Sequence, residues 1–147
     1  MLRISRETDY AIRVLLALAR RSPDERVLTR EVRDEMLIPK RIIGRVVARL
    51  AKGGFIESLP GRGGGIRLAR PPQEINLREV VTFFERSFLL SDCLQSPKFC
   101  PFTPTCPVYR RWARLQNLIF RELENTTFAE LATESLADPA EVGFFKP

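Results

Sequence analysis

The chain has 147 residues, of which 44% are hydrophobic, a formal net charge of +6, three cysteines and no histidine. A chain of this length forms one domain or two small ones and can bury a core without disulfides. Three is an odd number of cysteines, which also disfavours a closed set of disulfide bonds. No apolar run approaches the roughly 18 residues that a membrane-spanning helix needs, and no signal region opens the sequence, so we expect a cytoplasmic protein with no membrane partner.

The charge is divided unevenly along the chain. Residues 1–72 carry 16 Lys and Arg against 8 Asp and Glu, a net charge of +8, whereas residues 73–147 carry 8 against 10, a net charge of −2. This asymmetry favours a polyanion-binding unit joined to a second unit over a merely solvated basic surface. The Pro71-Pro72 pair marks the predicted boundary between the two domains.

The first half of the chain predicts three helices. A first helix follows Ser5, whose side chain can cap it, a short second helix follows Thr29, and Pro39 suits the first turn of a third. The apolar side chains of the first helix recur at positions i, i+3, i+4 and i+7, which places them on one face. These residues are Ala11, Val14, Leu15 and Leu18.

The third predicted helix carries an apolar face and a basic face. The apolar residues are Ile42, Ile43, Val46, Val47 and Leu50. The basic residues are Lys40, Arg41, Arg45 and Arg49. Because the apolar face would be buried, the arginines are available to bond DNA phosphates or to reach guanine edges through two hydrogen bonds.

A β-hairpin is predicted after the third helix. The segments FIESL and IRLA flank the turn PGRGGG, which puts Arg62 among glycines, where little bulk hinders insertion into a narrow minor groove. A nucleotide-binding loop is disfavoured because neither a Walker motif nor a complete G-x-G-x-x-G is present, and a strand follows the glycines. Two helices joined by a tight turn and followed by a hairpin are typical of a winged helix-turn-helix. The predicted fold class is therefore mainly α with a small β-hairpin wing.

Residues 73–147 form the second predicted unit. Asn76 and Glu79 have the spacing of a capping box at the start of a helix. After a loop at 93–106, apolar residues recur at helical spacing and predict a long amphipathic helix from about 107 to 124. These residues are Val108, Trp112, Leu115, Ile119 and Leu123.

The loop CLQSPKFCPFTPTC, residues 93–106, contains all three cysteines of the chain, Cys93, Cys100 and Cys106. Their separations of six and five residues lack the C-x2-C pairs of zinc ribbons, whereas iron–sulfur clusters use thiolates at several spacings. Cys106 precedes Pro107 and can stand at the N-terminus of the long helix, where a thiolate is favoured. From these residues alone, an iron–sulfur cluster, structural zinc, a metal-free thiol switch and unliganded cysteines all stay open.

The segments TDYAIRVLLALA, IPKRIIGRVVARLAKGGFIESLPGRGGGIRLARPP and INLREVV resemble the Rrf-two family of bacterial winged-helix transcription regulators, which includes the iron–sulfur regulators IscR and NsrR. The resemblance covers roughly residues 1–124. It implies a homodimer whose long C-terminal helices pair and whose two DNA-binding domains face one palindromic operator in double-stranded DNA. We accordingly expect Trp112, Leu115 and Ile119 in the dimer interface, and a 4Fe-4S or 2Fe-2S cluster on the three cysteines.

The chain departs from one branch of this family at the fourth ligand. Family members resembling IscR carry a histidine three residues after the last cysteine, where this chain has Tyr109, and its first cysteine spacing is one residue longer than is common. The NsrR-like branch uses a carboxylate from the first helix of the partner subunit, which matches Asp9 here. Glu7 is nearby, but residues two apart lie about 200° around a helix, so at most one faces a cluster. An acid in the first turn is also favoured by the helix dipole alone.

The leading hypothesis is a homodimeric transcription regulator, a repressor, whose operator binding is controlled by an iron–sulfur cluster that senses nitric oxide, redox state or iron–sulfur supply. The alternative is a winged-helix regulator with a zinc site or a direct cysteine switch and no cluster. An enzyme with Cys106 as nucleophile is disfavoured because no histidine is present to act as its base. A dimeric scaffold that never contacts DNA is the remaining alternative.

Overall fold

The computed structural model describes residues 2–134, and within them the chain is mainly helical with a two-stranded antiparallel hairpin, as predicted. Its helices are α1 (Arg6–Ala19), α2 (Thr29–Glu35), α3 (Lys40–Lys52), α4 (Leu77–Phe84), α5 (Pro107–Asn125) and α6 (Phe128–Thr133). Its strands are β1 (Ile56–Leu59) and β2 (Gly65–Leu68). In this described part, no helix combines the length and the apolar character needed to cross a bilayer.

Two helices begin at side-chain caps that the sequence predicts. At α1 the hydroxyl oxygen of Ser5 accepts a hydrogen bond from the backbone N–H of Thr8 at 3.3 Å. At α4 the amide oxygen of Asn76 accepts one from the N–H of Glu79 at 3.0 Å. Each cap satisfies a backbone donor that has no partner within the first helical turn, which fixes where the helix starts.

Two other helix starts differ from the prediction by one residue. Leu28, rather than Thr29, holds the cap position of α2, and its carbonyl accepts the first hydrogen bonds of that helix. Pro39 holds the cap position of α3 instead of lying in its first turn. The carbonyl of Pro39 accepts the N–H of Ile42 at 2.9 Å. A residue at the cap position has no acceptor within the helix for its own N–H, so the missing proline donor costs no helical hydrogen bond.

The turn between α2 and α3 makes them a helix-turn-helix, with α3 in the position of the recognition helix. Leu37 in this turn has a φ of 53° and is exposed. That conformation is uncommon for a leucine and reverses the chain within very few residues. Behind the turn, β1 pairs with β2 with Ile56 opposite Leu68, and Val27 bridges to Ile66, which ties the α1–α2 loop to the base of the hairpin.

One apolar core is shared by both halves of the chain. Leu15 of α1 and Leu50 of α3 are fully buried in it. α4 and α6 pack against α1 and add Val80 and Phe128, which are also fully buried. The core therefore crosses the boundary predicted after residue 72, and the division into units 1–72 and 73–147 stays a prediction. Residues 135–147 of the second unit lie outside the described residues.

Candidate functional site

The exposed side of α3 presents basic side chains to solvent. Burial of Val46 and Leu50 orients the helix, which leaves Lys40, Arg41 and Arg45 exposed on its other side. Within residues 2–134, neither Lys40 nor Arg41 forms an ion pair. Unpaired, solvated cations along one helix face are suited to contact phosphates or base edges in a major groove.

Arg45 and Arg49 share one carboxylate of α1. The Nε of Arg45 lies 3.2 Å from Oε1 of Glu7, and Nη1 of Arg49 lies 3.0 Å from Oε2 of the same residue. The Glu7 side chain is 21% exposed, that of Arg45 66% and that of Arg49 35%. Arg45 therefore keeps most of its surface in solvent, whereas Arg49 is drawn inward.

Arg49 also contacts α4. Its guanidinium lies 4.4 Å from the centre of the Phe84 ring and 5.9 Å from that of Phe83. Residues four apart in a helix drift by about 40°, so Arg49 is rotated by about 80° from Arg41, enough to leave the exposed face. Its predicted contact with DNA stays a prediction, and in this structure it joins the recognition helix to α4.

The tip of the hairpin places Arg62 between two glycines with positive φ, 88° at Gly61 and 76° at Gly63. Residues with side chains rarely adopt these angles, so the glycines allow the tight turn. Arg62 is exposed and forms no ion pair with the described residues. Its side chain is free to extend from the wing, as a minor-groove contact requires.

Glu85, directly after α4, is bonded to the start of α1. Its Oε1 accepts a hydrogen bond from the N–H of Ser5 at 2.7 Å and a second one from the hydroxyl of Thr8. Burial opposes ionisation of this carboxyl, but the bonds from Thr8 and Ser5 and the charge of Arg49 outweigh it and lower the pKa of Glu85. The segment that leads from α4 to the cysteine loop is thus anchored, at its first residue, to the DNA-binding half.

A buried glutamine of α5 anchors the same segment further along. The side-chain amide of Gln116 donates to the carbonyl of Phe88 at 3.0 Å, and its oxygen accepts the N–H of Leu90 at 2.8 Å. The neighbouring rings of Phe88 and Phe120 lie 6.5 Å apart. The residues that lead into the cysteine loop are therefore held against α5.

The three cysteines follow one another through this loop. Cys93 lies in a short 3-10 turn, with its sulfur 3.3 Å from the hydroxyl of Ser91. Cys100 follows a second such turn, and Cys106 caps α5, where its sulfur accepts the N–H of Tyr109 at 3.4 Å. The expected position of Cys106 at the start of the long helix is confirmed. All three are free thiols and half-buried.

The donor set of the loop fits a thiolate-bound group, although its side chains are not assembled as a metal site. Nowhere in residues 2–134 do three His, Cys, Asp or Glu side chains stand together as a metal site. The hydroxyl oxygen of Thr103, between Cys100 and Cys106, is buried and has no hydrogen-bond partner among the described residues. A loop that carries three thiols and a buried hydroxyl without a partner suits a group that accepts hydrogen bonds at sulfur.

Asp9 is the more accessible of the two acids at the start of α1. It forms an ion pair with Arg13 at 2.8 Å, and its side chain is 46% exposed. Arg13 also donates to the carbonyl of Met36 at the end of α2 at 3.2 Å. Within one chain the structure does not bring Asp9 or Glu7 into a metal site with the cysteines.

The outer face of α5 leaves large apolar side chains uncovered. Trp112 and Leu115 of the predicted stripe are exposed, and Ile119 is half-buried. Val108 and Leu118 add to this face, and the sequence pattern had not included Leu118. A helix side with four exposed apolar residues is typical of a surface that another chain covers.

Comparisons with known proteins agree with this architecture. A family model described as Rrf2, iron-dependent transcriptional regulator, matches residues 4–134. The HTH-type transcriptional regulator NsrR of Bacillus subtilis (strain 168) is 36% identical over 106 residues, 71% of this chain and 73% of that protein. NsrR of Geobacillus kaustophilus is 31% identical over 131 residues, 88% of this chain and 89% of that protein.

Two solved structures share the fold. CymR, the global cysteine regulator of B. subtilis, superposes with a TM-score of 0.76 at 20% identity, covering 92% of this chain and 99% of that one. T. potens IscR superposes with a TM-score of 0.71 at 20% identity, covering 98% and 94%. These relatives are transcription regulators and not enzymes, and DNA is the partner that the family binds. With a family model covering most of its length, the chain belongs to the Rrf2 (Rrf-two) family of winged-helix transcriptional regulators.

Proposed function

We propose that the protein is a homodimeric repressor whose operator binding is controlled by an iron–sulfur cluster held by Cys93, Cys100 and Cys106. The observation that carries the proposal is that three half-buried thiols lie in one loop, and that Gln116 anchors the segment leading into this loop to α5. The similarity to NsrR and the iron-dependent character of the family support it. When bound, a 4Fe-4S or 2Fe-2S cluster supplies a centre whose oxidation, nitrosylation or loss alters the loop around it.

Asp9 of the partner subunit is the proposed fourth ligand. Both side chains of its ion pair with Arg13 are exposed. Exposed ion pairs contribute about 0–1 kcal/mol to stability, so the carboxylate of Asp9 can leave Arg13 at little cost. Glu7 is less suitable because its two carboxylate oxygens face Arg45 and Arg49. Tyr109 is less suitable as well, since a phenol hydroxyl is a weaker metal ligand than a carboxylate. A single exchangeable carboxylate would let a small molecule bind the iron in its place, while the three thiolates keep the cluster bound to the protein.

Pairing of α5 with its copy in a second chain forms the proposed dimer. Trp112, Leu115 and Ile119 contribute to the interface together with the exposed Val108 and Leu118. Burying apolar surface at about 25 cal/mol per Å² is the main driving force for such association. Two copies related by a twofold axis would present two α3 helices to the half-sites of a palindromic operator.

The proposed contacts to DNA divide by groove. Lys40, Arg41 and Arg45 of α3 bond phosphates and base edges in the major groove, and Arg62 of the wing enters the adjacent minor groove. Arg49 joins α3 to α4 through its contact with the Phe84 ring. It contacts a phosphate only if its ion pair with Glu7 breaks.

A conformational change in the cysteine loop could reach α3 through a short chain of contacts. The loop is continuous with Glu85, which is bonded to Ser5 and Thr8 at the start of α1. Arg49, whose charge acts on Glu85, is paired with Glu7 of the same α1 turn. Movement of the loop would shift the start of α1 and, through it, the orientation of the recognition helix.

Anaerobic purification tests this function. The wild type should contain iron and acid-labile sulfide and absorb visible light, and Cys93→Ala, Cys100→Ala and Cys106→Ala should each lose most of both. DNA affinity of the intact protein should fall after exposure to nitric oxide or oxidant and with rising salt, because several phosphates are neutralised. A salt-independent affinity would contradict the DNA-binding part of the proposal.

A second candidate is a regulator that uses its cysteines without a cluster, as a thiol switch or a zinc site. The dispersed cysteine side chains favour the metal-free thiol switch, since no metal site is assembled among the described residues. The shared fold with CymR, named as a cysteine regulator, is compatible with it but shows the fold alone. One zinc per chain without sulfide, or metal-free protein whose DNA affinity changes with a thiol oxidant, would establish this candidate and exclude the cluster.

A further inference from the structure

Thr103 is the one buried polar residue of the turn that joins Cys100 to Cys106. Its neighbours Phe102 and Pro104 are exposed, whereas Thr103 is only 8% exposed. The N–H of Thr103 donates to the carbonyl of Cys100 at 3.1 Å, which closes the turn. The sequence gives no sign of the difference, because threonines occupy both positions 103 and 105.

The Thr103 hydroxyl is unsatisfied. Among the described residues, no donor or acceptor lies within hydrogen-bonding reach of its Oγ1, and the atom is inaccessible to solvent. A buried hydroxyl without a partner is costly and rare in native proteins, so each case calls for a missing partner. That partner must accept or donate a hydrogen bond next to Thr103, which stands between Cys100 and Cys106 in the sequence.

We infer that the Thr103 hydroxyl donates a hydrogen bond to an inorganic sulfide of the bound iron–sulfur cluster and thereby raises the reduction potential of the cluster. The inference rests on the proposed function, because it requires a cluster on the three cysteines. Sulfur ligands accept hydrogen bonds, and such bonds stabilise the more negatively charged reduced state. Thr103 would therefore adjust the reduction potential of the cluster without binding the iron.

The chain offers matched variants for a test. Thr103→Val keeps the size and branching of the side chain and removes the hydroxyl, whereas Thr103→Ser keeps the hydroxyl. Thr105→Val makes the same chemical change at an exposed position of the same turn. Wild type and variants are purified without oxygen, assayed for iron and sulfide, and titrated with dithionite while the visible spectrum is followed.

Thr103→Val should retain the iron and sulfide content of the wild type and shift the reduction equilibrium by about tenfold towards the oxidised cluster, which is about 59 mV for one electron. Thr103→Ser and Thr105→Val should both titrate like the wild type. An unchanged potential in Thr103→Val at full cluster content would overturn the inference and leave the proposed function intact. Wild type without iron and sulfide would instead overturn the proposed function, and this inference with it.

Metal-free protein provides a second measurement. If the hydroxyl serves only the cluster, Thr103→Val without metal should unfold at a temperature no lower than that of the metal-free wild type, because no hydrogen bond is lost. A clearly lower unfolding temperature for Thr103→Val, with Thr105→Val unaffected, would assign the hydroxyl to folding and overturn the inference.

Discussion

Glu7 of α1 and Arg49 of α3 form an ion pair, with 3.0 Å between Oε2 and Nη1. The other oxygen of Glu7 lies 3.2 Å from Nε of Arg45, in an ion pair without hydrogen-bond geometry, so one acid at the start of α1 faces two successive arginines of the recognition helix. Their surroundings differ, because Arg45 is solvated and Arg49 lies against the Phe84 ring. Replacing Arg45 should therefore affect DNA binding, whereas replacing Arg49 should affect the stability of the fold.

Arg45→Ala should weaken specific DNA binding by about 1–3 kcal/mol, the usual loss for one base or phosphate contact, and leave thermal stability nearly unchanged. Arg49→Ala should instead lower the free energy of unfolding by about 1–2 kcal/mol, because it removes a cation–π contact and a partly buried ion pair. Fluorescence anisotropy with labelled operator and thermal unfolding measure the two effects.

Arg20→Ala is the control for this pair, since Arg20 is an exposed arginine at the end of α1 and lies outside the predicted DNA contacts. It should change neither the operator affinity by more than a few tenths of a kcal/mol nor the unfolding temperature. The assignment of the two arginines would be wrong if Arg49→Ala kept its stability and lost affinity as strongly as Arg45→Ala.

The carboxylate of Glu85 predicts a pH-dependent stability. The pKa of Glu85 is lowered in the folded protein, so the folded state favours the ionised carboxylate. The resulting stabilisation is complete above the unfolded-state pKa and is lost as the pH falls through the folded-state pKa. Glu85→Gln should cost about 1–2 kcal/mol near pH 7, since hydrogen bonds from Ser5 and Thr8 lose a charged acceptor. Urea unfolding of both proteins at about pH 7 and about pH 3 should show the difference shrinking at the lower pH.

Glu122→Gln is the matching control, because this acid lies exposed on α5 and forms no ion pair with the described residues. It should unfold like the wild type at both pH values. A stability difference between Glu85→Gln and wild type that stays constant with pH would show that the carboxylate charge at position 85 is not what stabilises the junction.

Local signals account for what the sequence predicts well. Ser5 and Asn76 cap helices through atoms three residues away, and Pro107 starts α5 at the expected residue, so short-range spacing suffices. The predicted end of that helix, at about residue 124, is within one residue of the observed end at Asn125. The hairpin follows from the glycine-rich turn in the same way.

The sequence does not reveal residues whose role depends on distant segments of the chain. The acceptor of the Ser5 N–H is 80 residues away at Glu85, and Gln116 bonds backbone groups 26 and 28 residues away. Neither belongs to a recognisable motif, and each looks like an ordinary polar residue near a helix. The spacing of Arg41 and Arg49 places them in one basic series, but the rotation of the helix and the ring of Phe84 separate them.

Leu115→Asp tests the dimer. In a single chain Leu115 is 44% exposed, so an aspartate there stays solvated and the monomer should remain folded. In the proposed interface the same charge would be buried without a partner, which is strongly unfavourable. Sedimentation should show a dimer for the wild type at micromolar concentration and a folded, helical monomer for the variant. Asn117→Asp, an equal charge at an exposed polar position of α5, should stay dimeric.

Asp9→Ala tests the fourth ligand, and the structure defines the control it needs. Because Asp9 is paired with Arg13, the change removes both a carboxylate and an ion pair, and Arg13 is also bonded to the end of α2 at Met36. Arg13→Ala removes the ion pair and keeps the carboxylate. Arg6→Ala changes an exposed residue of the same turn and touches neither.

If Asp9 of the partner subunit is a ligand, Asp9→Ala should keep iron and sulfide on the three cysteines but shift the visible spectrum and speed the reaction with nitric oxide, since the exchangeable position is already open. Its operator affinity should also change, because the bond that joins the cysteine loop to α1 is gone. Arg13→Ala and Arg6→Ala should keep the wild-type spectrum. A spectrum and a nitric oxide response of Asp9→Ala equal to those of the wild type would exclude Asp9, and Glu7→Ala would then be the variant to compare. If Arg13→Ala reproduced every change seen in Asp9→Ala, the effect would belong to the ion pair and to the α2 end it supports, and the ligand would have to be sought elsewhere.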